Sequence, residues 1–179
     1  MTVAGIAIEY QVNGGDGGEA VLERLAVAFE RTGDELADFG STIFPRLTPI
    51  FEAEMEKQFE SEGSGQSGPW APLSEAYEAW KSQDYPGNPI LQLSGAMMAG
   101  LTQSSSPFAT RQFGGDVFEF GTSGVPYASL HQLGTATMPS RPPFDFSTDF
   151  ERDLAAGALE AAREVVANTG LGEYVEVVP

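Results

Sequence analysis

The sequence predicts an α+β domain in which a small, mostly antiparallel sheet, built on one β-hairpin, packs against two or three long helices. Three observations carry this. Apolar residues recur at helical spacing in separate stretches: Val21, Leu22, Leu25 and Phe29; then Phe51, Met55 and Phe59; then Leu154, Ala158, Ala161 and Val165. Two short runs, 108–113 and 116–121, flank Gly114-Gly115, a favourable two-residue hairpin turn. With 179 residues, 41% of them hydrophobic, the chain suits one domain spanning 1–179 with a sizeable core.

Residues 1–17 read as an N-terminal strand and linker. Ile6, Ile8, Tyr10 and Val12 alternate with smaller or polar residues, and a glycine-rich run from Asn13 ends the pattern. No Gly-Lys-Ser/Thr follows, so a phosphate loop there would lack its cation. A helix over 19–31 comes next, interrupted by Thr32 and Gly33, and a second stretch starts at Asp34 with Leu36 and Phe39. Pro45 and Pro49 should kink or break it. Thr48-Pro49 reads as a restart, with Thr48 as N-cap and proline at the first helical position.

A Gly-, Ser- and Pro-rich loop spans 62–72. Its Gly63-x-Gly65-x-x-Gly68 has the spacing of a dinucleotide fingerprint. However, a helix precedes it and Pro69-Trp70 follows, so that reading fails. Trp70 is expected to pin the loop to the body, with its N–H seeking an acceptor. Ser74 caps a short helix holding Tyr77 and Trp80 that ends near Lys81. Ile90-Leu91-Gln92-Leu93 leads to Ser94, the cap of a helix through Met97, Met98 and Leu101, the paired methionines serving as adaptable core filler.

After the hairpin, with Phe118 and Phe120 on one face, Gly121, Gly124 and Pro126 turn the chain. A helical turn over 127–133 holds the only histidine, His131, and closes at Gly134. Arg141-Pro142-Pro143-Phe144 is a rigid extended exit. It feeds a last helix that opens on Thr148-Asp149-Phe150-Glu151, a capping box. That helix's alanine-rich stripe suits close packing, and Gly170 and Gly172 end it. Residues 173–179 form a C-terminal strand or arm, an edge that seeks a partner.

Charge is the outlier. There are 26 Asp plus Glu against 9 Lys plus Arg, a net of −17, so a basic footprint for gripping nucleic acid is missing. Only Lys57 and Lys81 are lysines. Adaptation to high salt explains such a surface, and so does a GC-rich genome with acidity serving solubility. Residues 16–62 alone carry 12 acids and 4 bases, which fits a solvated helix face or a face lining a passage for DNA. No cysteine is present, which excludes disulfides and thiolate metal sites. Neither a secretory signal nor a membrane-length apolar run is present, so a soluble protein without membrane partners is expected.

Catalytic chemistry finds little support. One histidine excludes the common multi-histidine zinc sites, and Gly121-Thr122-Ser123-Gly124 misses the nucleophile-elbow pattern. No catalytic residue, metal ligand or cofactor site is therefore assigned. His131 is better explained by a favourable charge at a helix C-terminus or by a structural hydrogen bond. The carboxylates fall mostly on presumed exposed helix faces.

Three ordered signatures carry a family resemblance. The first is Gly68-Pro69-Trp70-Ala71-Pro72-Leu73, and the second is Ile90-Leu91-Gln92-Leu93-Ser94-Gly95. The third comprises Gly121-Thr122, Pro126-Tyr127-Ala128, His131-Gln132-x-Gly134, Arg141-Pro142 and Phe144. Together they cover about 59–144 and resemble the phage virion morphogenesis family, the neck and tail-completion proteins of tailed viruses. One departure is a second proline where the family reads Arg-Pro-Phe. The resemblance implies a structural virion protein that forms a closed ring, a hexamer or dodecamer of itself, at the neck or tail end. Head-connector or head-closure proteins and tail-tube or terminator proteins would be its partners, with double-stranded DNA passing through the lumen. It makes Trp70, Leu91, Ser94, Gly121, Thr122, Tyr127, His131, Gln132, Gly134, Arg141, Pro142 and Phe144 the candidate interface or motif residues. The alternative from charge alone is an acidic binding module such as a DNA mimic, which would bind basic proteins with steep salt dependence.

Overall fold

The computed structural model describes residues 18–114 and 117–170. Its elements run α1 (Gly18–Ala37), α2 (Phe39–Thr42), α3 (Phe44–Glu60), α4 (Glu75–Asp84), α5 (Ala96–Thr102), β1 (Ala109–Gly114), β2 (Val117–Thr122), α6 (Ala128–Leu133) and α7 (Thr148–Asn168). The fold is α+β. Among the described residues the sheet is one antiparallel hairpin, packed on α2, α3 and α5, while α7 packs on α1 and α3. The strand expected at 6–12 and the arm at 173–179 lie outside the described residues.

Helix α3 is the axis because its apolar residues face two ways. Met55 and Phe59 are buried with Trp70, Met97, Leu101 and Val125. Leu47 is buried with Ile43 and with Ala161 and Val165 of α7. Each such burial contributes about 1.5–3 kcal/mol for the larger side chains. Between the two clusters stands Phe51, whose ring centroid lies 5.0 Å from Phe118, 5.1 Å from Phe120, 6.0 Å from Phe146 and 5.0 Å from Phe150. The hairpin's shared face, with Phe118 and Phe120 on it as the alternation predicts, is thereby seated on α3. The small residues of α7 allow helix-to-helix contact: a Cβ at Gly157 would come within 2.2 Å of Ile50 Cδ1.

Arg111 fastens the hairpin from inside. Its guanidinium lies 3.8 Å from the Phe120 ring centroid and donates to Glu52 at 2.9 Å. It also donates to the carbonyls of Gly100, Leu101 and Gly121. A single cation therefore joins β1, β2, α5 and α3.

Several boundaries differ from expectation. Helix α1 runs unbroken through Thr32 and Gly33, because the Thr32 hydroxyl bonds back to the Ala28 carbonyl at 2.7 Å and meets the hydroxyl of Thr169. Among its described side chains Ala28 and Thr32 are buried, while Phe29 is 41% exposed; the side chains of Val21, Leu22 and Leu25 lie outside the described ones. Helix α3 starts at Phe44, not Thr48, since Pro45 occupies its first turn where no intrahelical N–H bond is needed. Thr48 is buried inside the helix with its hydroxyl unpartnered, so it caps nothing. Gly114 pairs with Val117 and so belongs to β1 rather than to the turn.

Ser74 stands at the N-cap of α4 as expected, though without a side-chain cap bond, and that helix continues past Lys81 to Asp84. Two other caps moved. Gly95, not Ser94, is the N-cap of α5, although the Ser94 hydroxyl does accept from the Ala96 N–H at 3.4 Å. The cap of α7 is Ser147, one residue before the expected box. Its backbone N–H is satisfied by Glu54 of α3 at 2.7 Å, so a distant carboxylate does the work expected of Glu151. Glu54 is buried, contrary to the expectation that acids keep to exposed faces.

Candidate functional site

The three sequence signatures are far apart in the chain and meet around one buried cation. Arg141 is 4% exposed. Its Nε donates to the Ala71 carbonyl at 2.6 Å and its Nη2 to the Pro72 carbonyl at 2.7 Å, while its backbone N–H donates to the His131 carbonyl at 2.8 Å. It therefore ties the Trp70 loop, α6 and the extended exit together. Trp70 completes the tie: its ring packs edge-on against Phe59 at 5.5 Å, and its Nε1 donates to the Pro142 carbonyl at 3.1 Å. The loop is pinned to the body as its composition predicts.

Gln132 clamps the exit. Its side-chain amide donates to the Phe144 carbonyl at 3.2 Å, and its side-chain oxygen accepts from the Phe144 N–H at 3.1 Å. One amide thus satisfies both backbone groups of an extended residue, as a neighbouring strand would. Gly134 closes α6 at φ 73°, and a Cβ there would lie 2.8 Å from the backbone nitrogen of Ser140. The glycine loop over 63–68 is occupied from within. The Ser67 N–H donates to Asp145 Oδ2 at 2.8 Å, and a Cβ at Gly65 would fall 1.9 Å from the Asp145 carbonyl oxygen. Asp145 thus sits against this loop.

Above this frame lies an open groove of about 600 Å³. Five of the predicted residues line it: Leu91, Ser94, Tyr127, His131 and Arg141. The Ser94 hydroxyl hydrogen-bonds the Tyr127 hydroxyl at 3.1 Å, joining the second signature to the third. Leu91 holds a left-handed backbone at φ 62°, a conformation that costs a non-glycine residue about 1–2 kcal/mol. Gly121, Thr122, Gln132 and Phe144 line a second hollow of about 270 Å³ instead. Thr122 is turned inward there, its hydroxyl donating to the Phe108 carbonyl at 2.8 Å. Trp70, Gly134 and Pro142 border neither; they are parts of the frame.

The groove has residues that the motifs did not point to, chiefly Tyr77 and Lys81 of α4, and Met138. Tyr77 and Lys81 stand four apart on one helix face, a spacing that could have revealed them. Lys81 is 4% exposed, and its Nζ donates to the Pro89 carbonyl at 2.5 Å. Burial pulls its pKa below the ordinary lysine value, with the Glu62 carboxylate opposing. Burial likewise lowers Arg141, with Tyr77 opposing. Both cations are thus held by backbone carbonyls rather than by ion pairs.

His131 is pushed below the ordinary imidazole value, first by burial and then by the Arg141 charge. Its Nδ1 is buried without a hydrogen-bond partner, and the Tyr127 ring meets it edge-on at 5.9 Å. The lowered pKa beside a fixed cation runs against the expectation of a favourable charge here, and the structural hydrogen bond His131 makes is through its backbone carbonyl, which accepts from the Arg141 N–H, rather than through Nδ1. Among the described residues no cluster of His, Asp and Glu could hold a metal ion, and no helix is long and apolar enough to cross a membrane.

The model of the phage virion morphogenesis family matches residues 20–162. The chain belongs to that family. Membership gives it a structural or morphogenesis role in the virion. The matched span contains all three signatures and every residue of both hollows. No curated protein and no solved structure shows significant similarity to the chain.

Proposed function

We propose that this family member is a structural subunit of a tailed-virus particle, closing with copies of itself into a ring of six or twelve at the neck or tail end. The family match over 20–162 is the observation that carries this reading. Ring closure needs two different complementary surfaces on each subunit. Exposed apolar side chains in several places supply candidates: Tyr77, Trp80 and Tyr85 around α4, Leu130 and Leu133 on α6, and Phe113 and Val117 at the hairpin end. The rings of Tyr77, Trp80 and Tyr85 pack in sequence, tilted against one another, at centroid distances of 5.3 and 5.8 Å, forming an aromatic ridge of the kind enriched at interfaces. Head-connector or head-closure proteins on one side and tail-tube or terminator proteins on the other are the proposed partners.

The net charge of −17 suits a lumen through which DNA slides without sticking. No catalytic step is part of this role. Charge is also all that supports the acidic-mimic alternative, which has no use for the Arg141 frame or the groove. Removal of the gene from the source virus tests the proposal. The expected outcome is full heads and separate tails, rescued by the chain supplied in trans; normal joined particles would refute it.

A further inference from the structure

We infer that the groove beside Arg141 receives the C-terminal segment of a neighbouring copy, residues 171–179, as the contact that links one ring subunit to the next. This deepens the ring proposal and rests on it. The groove is apolar at its sides, through Leu73, Leu93, Met138 and the rings of Tyr77 and Tyr127, and carries Lys81 and Arg141. Among the described residues neither cation makes a salt bridge, although the Glu62 carboxylate acts on Lys81: Lys81 Nζ uses one bond to Pro89, and Arg141 uses Nε and Nη2 on carbonyls. In a chain with 26 acids and 9 bases, two cations left without ion pairs in one hollow define what fits there: an apolar segment bearing a carboxylate.

The chain contains such a segment. In Glu173-Tyr174-Val175-Glu176-Val177-Val178, Tyr174, Glu176 and Val178 alternate along the sequence, so that bound as a strand the segment would present on one face a carboxylate flanked by two apolar side chains. That chemistry complements a groove lined by apolar side chains together with Lys81 and Arg141. The occupant is assigned to another copy: α7, which leads into this segment, packs on α1 and α3, against the other apolar face of α3. The volume of about 600 Å³ lies within the range of pockets that bury most of a small ligand or a few side chains.

The test is photo-crosslinking of the full chain carrying p-benzoylphenylalanine in place of Tyr174, in purified oligomer and in assembled particles, with light and heavy isotope copies mixed. The expected links join light to heavy chains at Tyr77, Leu93 or Met138. Links to any other surface, or only within one chain, overturn the inference while leaving the ring intact. A double-mutant cycle supplies a second readout: Lys81→Gln and Glu176→Gln each weaken self-association about tenfold, roughly the worth of one desolvated charge pair, and together no more than either alone. Additive losses overturn the pairing. If the wild-type chain forms no oligomer in either setting, the ring proposal falls first and this inference with it.

Discussion

Removing the Gln132 clamp tests whether the extended exit is held by one side chain. Gln132→Ala deletes two hydrogen bonds to the Phe144 backbone, at 3.2 and 3.1 Å. Each contributes about 0.5–1.5 kcal/mol net, and Phe144 is only half-buried, so water partly replaces them and the lower to middle figure applies. The expected loss is about 2 kcal/mol. For a domain of this length that lowers Tm by roughly 4–8 °C. Urea denaturation with hydrogen exchange at the Phe144 amide measures both the global and the local effect. Gln132→Glu sharpens the test. Its carboxylate still accepts from the Phe144 N–H but faces the Phe144 carbonyl, so at neutral pH it should be no better than alanine. Protonation restores a donor, so that variant's folded-state carboxyl is raised, and stability present at low pH is lost as pH rises through its pKa. A variant within about 0.5 kcal/mol of wild type, with no change in Phe144 exchange, would refute the clamp.

Further outcomes follow from the same geometry. Gly65→Ala forces a Cβ to within 1.9 Å of the Asp145 carbonyl oxygen, a backbone atom that cannot swing away, and should cost about 1–3 kcal/mol or more in urea midpoint; an unchanged midpoint contradicts the close approach. Glu54→Ala leaves the Ser147 N–H without its acceptor and should cost about 1–2 kcal/mol, with exchange accelerated first at the start of α7; loss elsewhere would contradict the cap. His131 is the chain's single histidine, so one imidazole signal reports its titration by NMR. Its folded pKa lies below the unfolded value, so the unfolded state takes up a proton first as pH falls. Wild type should therefore lose stability relative to His131→Phe as pH drops through about 6.5, the reference imidazole value. An imidazole titrating above that value would contradict the burial beside Arg141.

What the sequence revealed and what it hid divide by distance along the chain. The hairpin was legible because alternation and a glycine pair lie within fourteen residues, and Gly134 announced the end of α6 because its conformation is set locally. Trp70 was legible as a pin because a large ring with one N–H has few uses in a loop. The cap of α7 was not, since the carboxylate that serves Ser147 comes from Glu54 on α3. Nor was the continuity of α1, which depends on Thr32 meeting Thr169 from the far end of the chain. The start of α3 was missed because Pro49 was read as a boundary, whereas a proline there removes only the bond to Pro45 in the first turn. The groove drew five of its residues from the candidate set, but Lys81 and Met138 entered only through the packing of α4 and of the 137–141 segment.

The central claim is that this chain is a ring subunit of the finished particle. Quantitative mass spectrometry of purified virions, counting copies of the chain against the head-connector protein, tests it most directly. A fixed low number, on the order of six or twelve as cyclic symmetry requires, is the predicted result. Its absence from mature particles, or a copy number matching a capsid or tail-tube protein, would contradict the account.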